Sequence, residues 1–175
     1  IMLLDSVKAA NANTVYFQVR GRCDAMYKSS YEPWSSDLVA TRGMDPGYDP
    51  LLFAVEEAHK RGIEIHAWFN PYRYESVLHQ WDGTPQNYRE SHPEWLLDYS
   101  DGSILNPAMP EVRDHITAII QEVVQNYDID GVVFDDYFYM SGTTDDMDDE
   151  LYQQSNPDNL SRADWRRQNV NKLIA

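Results

Sequence analysis

Residues 131–139, GVVFDDYFY, decide the fold of this chain. A glycine opens the apolar run VVF, whose β-branched and aromatic composition is typical of a buried strand, and the run stops at Asp135 and Asp136. In α/β barrels the chemistry lies where parallel strands end and loops begin, so the acid pair indicates a functional strand end. The alternative is that either aspartate caps the following loop or pairs with an arginine.

Two upstream segments alternate apolar and polar residues, as a strand with one buried face does. They are TVYFQVR, residues 14–20, and IEIHAWFN, residues 63–70. Because the apolar face of each should pack on helices, the polar face should look into the barrel. The same alternation in residues 131–139 turns Asp135 inward and Asp136 sideways, toward the neighbouring loop. The inward positions are Tyr16, Gln18, Arg20, Glu64, His66, Trp68, Asn70, Asp135 and Tyr137.

Helical spacing of apolar residues separates these strands. The predicted helices cover residues 2–11, 50–62, 110 to about 127, and a stretch that starts near 161. Residues 21–49 and 71–109 form long loops, and Asp101-Gly102 predicts a hairpin in the second. Alternating helices and strands predict a parallel sheet, and an eight-fold barrel needs about 250 residues. The 175 residues are therefore expected to be a single partial (β/α)8 TIM-barrel domain, 1–175, with about strands 2 to 4, cut from a longer polypeptide.

The composition excludes several classes of function. The chain has 29 acidic and 14 basic residues and a formal charge of −15, so nucleic acid is excluded as a partner. Cys23 is the single cysteine, which rules out an internal disulfide and a thiolate zinc site. The acidic loop over residues 141–160 lacks the spacing of a calcium-binding loop. The sequence has no HxH, HExxH, GxSxG or GxGxxG motif, so we expect no metal and no cofactor.

Hydrolysis of a glycosidic bond fits the residues at the strand ends. Such a site needs an aromatic platform, hydrogen bonds to hydroxyls, and carboxylates beside an oxocarbenium-like transition state. We expect Arg20 to hold Asp135 ionised. The second carboxyl group stays open: it lies further along the polypeptide, or it is Asp136 or Asp24. His66 is the single histidine of its strand, which favours the interpretation that it is a hydrogen-bonded core residue and not a catalyst. The expected group at the strand ends is Gln18, Arg20, Trp68, Asn70, Arg73 and Asp135.

The sequence resembles the glycosyl hydrolase-like family 10 of bacterial proteins. The resemblance rests on the runs NTVYFQVRGRCDAMYKSSYEPWS, DPGYDPLLFAVEEAHKRGIEIHAWFNPYR, LNPAMPEVRDHI and DGVVFDDYFY, and it covers nearly the whole chain. It implies a (β/α)8 barrel and a glycoside hydrolase of peptidoglycan glycan strands stripped of their peptides. It also implies a polysaccharide or oligosaccharide substrate, an extracytoplasmic location (periplasmic or as an outer-membrane lipoprotein), and a lipid anchor outside these residues.

Carried onto this chain, the resemblance implies that Asp135 and Asp136 are active-site carboxylates. The inward positions add His66 and Tyr137 to the substrate-binding candidates. The alternative is a non-catalytic carbohydrate-binding TIM barrel that keeps Trp68 and the hydrogen-bond donors but lacks a partner acid. A metal-assisted deacetylase is disfavoured because its pair of histidines is missing. The sugar contacts implied by the resemblance are Gln18, Arg20, Asp24, Trp68, Asn70, Arg73 and Asn106.

Overall fold

A computed structural model gives the fold and describes residues 1–76, 78, 87–135 and 138–175. The helices are α1 (Met2–Ala9), α2 (Pro50–His59), α3 (Tyr88–Ser91), α4 (Pro110–Asn126), α5 (Asp149–Gln154) and α6 (Arg162–Ile174), with a 3₁₀ turn at Pro93–Trp95. The strands are β1 (Thr14–Arg20), β2 (Glu64–Phe69), β3 (Arg73–Ser76), β4 (Leu96–Tyr99), β5 (Gly102–Leu105) and β6 (Gly131–Phe134).

Three strands form the parallel sheet that the alternation predicts. β2 lies in the middle, paired with β1 on one side and β6 on the other. The connection from β1 to β2 carries α2, and the connection from β2 to β6 carries α4. This repeated strand–helix–strand order is that of an α/β barrel, and the three strands make up part of one.

The apolar face of the sheet packs on the helices. Ile65, Ala67 and Phe69 of β2 are buried in one cluster with Leu51 of α2 and Ile119 of α4. Burying each large apolar side chain stabilises the fold by roughly 1.5–3 kcal/mol. This contact therefore fixes which face of each strand packs on the helices and which faces the barrel interior. The predicted orientation of β1 and β2 is confirmed up to Gln18, beyond which β1 changes register.

A second, antiparallel sheet lies between β2 and α4 in the sequence. β5 is its central strand and pairs with β3 and β4. The hairpin predicted at Asp101-Gly102 is confirmed as the β4–β5 connection. β3, whose sequence is RYES, was not predicted, and neither was α5 inside the polar loop. This sheet has its own buried cluster, which includes Tyr72, Tyr74 and Ile104.

Gly131, the first residue of β6, has no room for a side chain because its neighbour on β2 lies too close. It pairs with His66, and a Cβ at this position would lie 2.7 Å from His66 Nδ1. The imidazole in turn meets the Tyr16 ring edge-on, with 5.6 Å between ring centroids. The histidine therefore packs across the inner face of all three strands, at the end opposite to the acidic tip of β6.

We predict that Gly131→Ala lowers the free energy of unfolding by about 1–3 kcal/mol, because the added methyl group overpacks the imidazole. Removing the ring should relieve the strain, so the same change made in a His66→Ala background should cost far less. Urea unfolding of the four proteins in this cycle measures the coupling. Equal costs in both backgrounds would contradict the packing described here.

An aromatic cluster joins the second sheet to α4. His115 Nε2 shares a 2.6 Å hydrogen bond with the Tyr88 hydroxyl, and the His115 ring lies 5.4 Å from that of Trp95. Burial, reinforced by the positive charge of Arg20 and by His92, lowers the pKa of His115 to about 4. The folded protein therefore holds this imidazole neutral over a range in which an exposed histidine is charged.

The protein should lose stability as the pH falls from about 6.5 to about 4. In this window the unfolded chain binds a proton at His115 that the folded chain does not, so acid favours unfolding. After allowance for partial exposure, we expect His115 to account for on the order of 2 kcal/mol of the free energy of unfolding. Urea unfolding at pH 7 and pH 4.5 should show a smaller loss for His115→Gln than for the wild type. Parallel losses in the two proteins would disprove this.

Within the described parts of the chain, no helix is both long enough and apolar enough to cross a membrane.

Candidate functional site

The carboxyl ends of β1, β2 and β6 meet at one edge of the parallel sheet. Gln18 pairs with Trp68, and Trp68 pairs with Val133, so these side chains share the face opposite to the core. The Asp135 N–H donates to the Phe69 carbonyl at 3.2 Å, which carries the alternation past β6 and puts Asp135 at the exposed end of this face. We call the following strand-end residues the rim: Gln18, Trp68, Asn70 and Asp135.

Two polar atoms at the rim are buried without a hydrogen-bond partner among the described residues. They are the indole Nε1 of Trp68 and the Oδ1 of Asn70, whose Nδ2 donates to the Gly21 carbonyl at 3.3 Å. Leaving a buried donor or acceptor unsatisfied costs roughly 1–3 kcal/mol. A hydroxyl group both donates and accepts, so it is chemically suited to both atoms. In this structure both atoms are buried, and Asn70 is 3% exposed, whereas the Trp68 residue is partly exposed. The rim therefore combines an exposed carboxylate with a partly exposed indole above a buried, unsatisfied donor and acceptor.

A β-bulge decides where Arg20 points. β1 and β2 run in register to Gln18 and Trp68, but Arg20 pairs with Phe69, so Val19 is an extra residue on β1. The extra residue turns Arg20 to the side of Phe69, which packs on the helices. There Arg20 is fully buried.

The guanidinium of Arg20 uses all of its donors inside the protein. Nε and Nη2 bind the two carboxylate oxygens of Glu32 at 2.8 and 2.7 Å, and Nη2 also donates to Cys23 Sγ at 3.1 Å. Nη1 donates to the carbonyls of Asn70 and Pro71, each at 2.8 Å. The expectation that Arg20 contacts sugar and holds Asp135 ionised is therefore wrong, because the bulge moves it away from the rim.

Asp24 is also buried rather than exposed to a substrate. Its Oδ1 accepts from the Arg22 N–H at 3.1 Å, and its Oδ2 accepts from the Ser35 hydroxyl at 2.9 Å. Arg42 Nε lies 3.6 Å from the same Oδ2, and the Asp24 residue is 1% exposed. The expectation that Asp24 contacts sugar or supplies the second carboxylate is corrected: this carboxylate organises the loop over residues 21–49.

Arg73 and Asn106 belong to the region of the second sheet. Arg73 opens β3, and its carbonyl accepts from Cys23 Sγ at 3.3 Å. Asn106 is 4% exposed, and its Oδ1 accepts from the Ala108 N–H at 3.0 Å. It lines a cavity of about 350 Å³ whose walls also carry acidic side chains of the loop around Asp149. No rim residue lines that cavity.

Three further candidates lie away from the rim or outside the described residues. His66 lies on the same face of β2 two residues before Trp68, so it is roughly 7 Å from Trp68 and roughly 13 Å from Asn70, at about 3.3 Å per residue. Its Nε2 is 3.7 Å from a Glu64 carboxylate oxygen. This placement favours packing over sugar contact. Asp136 and Tyr137 lie outside the described residues.

Glu32 is the residue of this region that sequence reasoning missed. It lies in the long loop over residues 21–49, where neither periodicity nor a motif marks it. The sequence feature that could have pointed to Glu32 is Arg20, since a buried guanidinium requires a carboxylate partner. The described residues contain no group of three or more His, Cys, Asp or Glu side chains arranged to hold a metal ion.

A family model described as glycosyl hydrolase-like 10 matches residues 1–175. The chain belongs to the glycosyl hydrolase-like 10 family. It is 44% identical over 179 residues to glycosyl hydrolase YngK of Bacillus subtilis, in an alignment that covers 99% of this chain and 35% of that protein. It is 41% identical over 182 residues to glycosyl hydrolase DigH of Escherichia coli K12, in an alignment that covers 98% of this chain and 42% of that protein. The chain thus spans less than half the length of these relatives.

Solved structures confirm the fold that the family implies. An α-L-fucosidase from Paenibacillus thiaminolyticus superposes with a TM-score of 0.63 at 16% identity, over 96% of this chain and 24% of that one. An α-galactosidase from Lactobacillus brevis gives a TM-score of 0.52 at 16% identity, over 87% of this chain and 21% of that one. At this identity the likeness concerns the fold alone. This member of the glycosyl hydrolase-like 10 family therefore has the fold of part of a TIM barrel.

We predict that Asp24→Ala lowers the free energy of unfolding by about 2–4 kcal/mol, because Ser35 and Arg42 lose a buried partner. Asp37→Ala is the matched control. Its carboxylate pairs with Arg22 but is 48% exposed, so its loss should cost less than about 1 kcal/mol. Chemical denaturation measures both. Asp24→Ala protein of wild-type stability that no longer binds sugar would restore Asp24 as a substrate contact.

Proposed function

We propose that the protein is a glycoside hydrolase whose reaction takes place at the rim. The observation that carries this proposal is the exposed Asp135 at the end of a parallel strand, beside the unsatisfied Trp68 Nε1 and Asn70 Oδ1. Membership of the glycosyl hydrolase-like 10 family and a fold shared with glycosidases support it. The chain is one part of its relatives' length, so the proposal concerns the whole protein that contains it.

Each rim residue has a role that its chemistry allows. Asp135, exposed and at a strand end, serves as nucleophile or base and stabilises positive charge that develops at the anomeric carbon. Trp68, which is partly exposed, offers its ring to the sugar, and the buried Asn70 holds the strand end through its bond to the Gly21 carbonyl. Gln18, paired with Trp68, adds an amide on the same face. These contacts fix the sugar relative to the carboxylate, which is the requirement for efficient attack.

The reaction also needs a second carboxyl group. Asp24 is removed from the candidates because it is buried and bonded within its loop. Asp136, next to Asp135 in the sequence, and an acid elsewhere in the whole protein remain. Separation of the two carboxyl groups by about 5–5.5 Å implies retention at the anomeric carbon, and separation by roughly 6.5–9.5 Å implies inversion.

We further propose that the substrate is a bacterial cell-wall glycan, namely peptidoglycan strands freed of their peptides. We also propose that the protein acts outside the cytoplasm, in the periplasm or as an outer-membrane lipoprotein whose anchor lies outside these residues. Both proposals rest on the resemblance to the glycosyl hydrolase-like 10 family. The rim is compatible with a glycan, because its unsatisfied donor and acceptor are neutral groups that suit hydroxyl and acetamido substituents.

The second candidate function is a non-catalytic carbohydrate-binding barrel. One observation favours it: among the described rim residues, Asp135 is the sole carboxylate, whereas hydrolysis needs two carboxyl groups. Calorimetry and chromatography on the same peptide-free glycan separate the two functions. Binding without product release supports the binding protein, and release of shorter saccharides supports the hydrolase.

We predict that Asp135→Asn in the full-length protein lowers kcat on peptide-free glycan strands by about 10²–10⁴-fold while the fold survives, because the amide cannot act as nucleophile or base. Asp128→Asn is the matched control, since the Asp128 side chain is 95% exposed and precedes the strand. It should retain wild-type activity. Product release is followed by chromatography, and folding by circular dichroism. Wild-type turnover by Asp135→Asn would refute the assignment.

A further inference from the structure

The buried ion pair between Arg20 and Glu32 lies against the backbone that follows β2. Both side chains are fully buried, and two hydrogen bonds of 2.7 and 2.8 Å join guanidinium and carboxylate. The pair connects the end of β1 to the loop over residues 21–49. The proposed reaction uses neither residue at the sugar, because neither side chain reaches solvent.

The same guanidinium holds the backbone that follows β2. Its Nη1 donates to the carbonyls of Asn70 and Pro71, two consecutive residues, each at 2.8 Å. A return bond runs from the Asn70 N–H to the Arg20 carbonyl at 2.9 Å. Asn70 Nδ2 adds a bond to the Gly21 carbonyl at 3.3 Å. The chain around Asn70 is therefore tied to β1 at four points, and Arg20 makes two of them through its side chain.

Stability alone is a weak reason for such a pair. Replacing a buried ion pair by apolar residues of similar volume is often neutral or stabilising, because two charges no longer need to be desolvated. An apolar pair, however, cannot donate hydrogen bonds to the Asn70 and Pro71 carbonyls. The feature that apolar residues could not reproduce is the planar fork of five donors, which reaches a carboxylate and two carbonyls at once.

We propose that Arg20 and Glu32 are positioning residues: the ion pair fixes the Asn70–Pro71 backbone and so holds Asn70 and the nearby Trp68 in place at the rim. Glu32 orients the guanidinium, and the guanidinium holds the two carbonyls. The inference rests on the proposed glycoside hydrolase function. By this inference Glu32, a residue of the loop over residues 21–49, affects sugar binding indirectly, through Arg20 and Asn70.

The test compares wild-type full-length protein with the double variant Arg20→Met/Glu32→Leu. This variant removes both charges together, so no buried charge is left unpaired and the fold should be retained. It also removes the donors to the two carbonyls. We expect kcat/KM on peptide-free glycan to fall at least tenfold, mainly through a higher KM, because sugar-binding groups shift while Asp135 keeps its own bond to the Phe69 carbonyl.

A control removes a partly buried ion pair by the same chemistry. The Arg166 side chain is 16% exposed and that of Asp148 is buried, and Arg162, which also binds Asp148, keeps Asp149 as a partner. Arg166→Met/Asp148→Leu deletes the contact between Arg166 Nε and Asp148 Oδ2, which is 2.6 Å long and joins α6 to the acidic loop. We expect this variant to keep the wild-type KM. Thermal unfolding of both double variants shows whether their folded fractions match at the assay temperature.

The outcomes separate this inference from the proposed function. If the wild type cleaves the glycan and Arg20→Met/Glu32→Leu, folded, has a KM within twofold of the wild type, the positioning role is overturned and the function stands. If kcat falls with the folded fraction at constant KM, the pair is structural and the inference is likewise overturned. Wild-type protein that does not cleave the glycan overturns both. Should the variant fail to fold, Arg20→Gln/Glu32→Gln, with a polar but shorter pair, replaces it with the same expected rise in KM.

Discussion

Burial of one face of a three-stranded parallel sheet is the constraint on which the rest of this structure depends. Side chains alternate along each strand, so packing Ile65, Ala67 and Phe69 against two helices forces the neighbouring residues to the opposite side. Parallel pairing then brings Gln18, Trp68 and the Asp135 end of β6 to one edge. The position of the rim thus follows from hydrophobic packing and needs no separate explanation.

The alternation rule made most of this layout predictable from the sequence, and its failures have physical causes. β1, β2, β6, the four main helices and the β4–β5 hairpin follow from periodicity, from Pro50 and Pro110, and from Asp101-Gly102. β3 was missed because RYES has no apolar alternation, and its pairing with β5 depends on contacts distant in sequence. Pairing between distant segments leaves little trace in local composition.

The site was harder to predict because one extra residue in β1 turns the Arg20 side chain to the other face of the sheet. The bulge at Val19 sends Arg20 to the helix-facing side, yet the segment TVYFQVR contains no glycine or other signal that marks a bulge. Asp24 was misread for a related reason. A polar residue in a long loop reads as exposed, whereas its burial depends on Ser35 and Arg42, which the fold alone brings near. Alternation thus predicted the side of the sheet for Gln18 and Trp68, but not for Arg20 beyond the bulge.

The second sheet is packed around a buried cluster that includes Tyr72, Tyr74 and Ile104 together with Val112 and Ile116 of α4. Ile119 and Val123 of the same helix belong to the core of the parallel sheet. Because one helix serves both clusters, a substitution that shifts α4 within the second cluster also disturbs the packing of the parallel sheet. The two sheets are thus mechanically coupled through α4 and cannot be repacked one at a time.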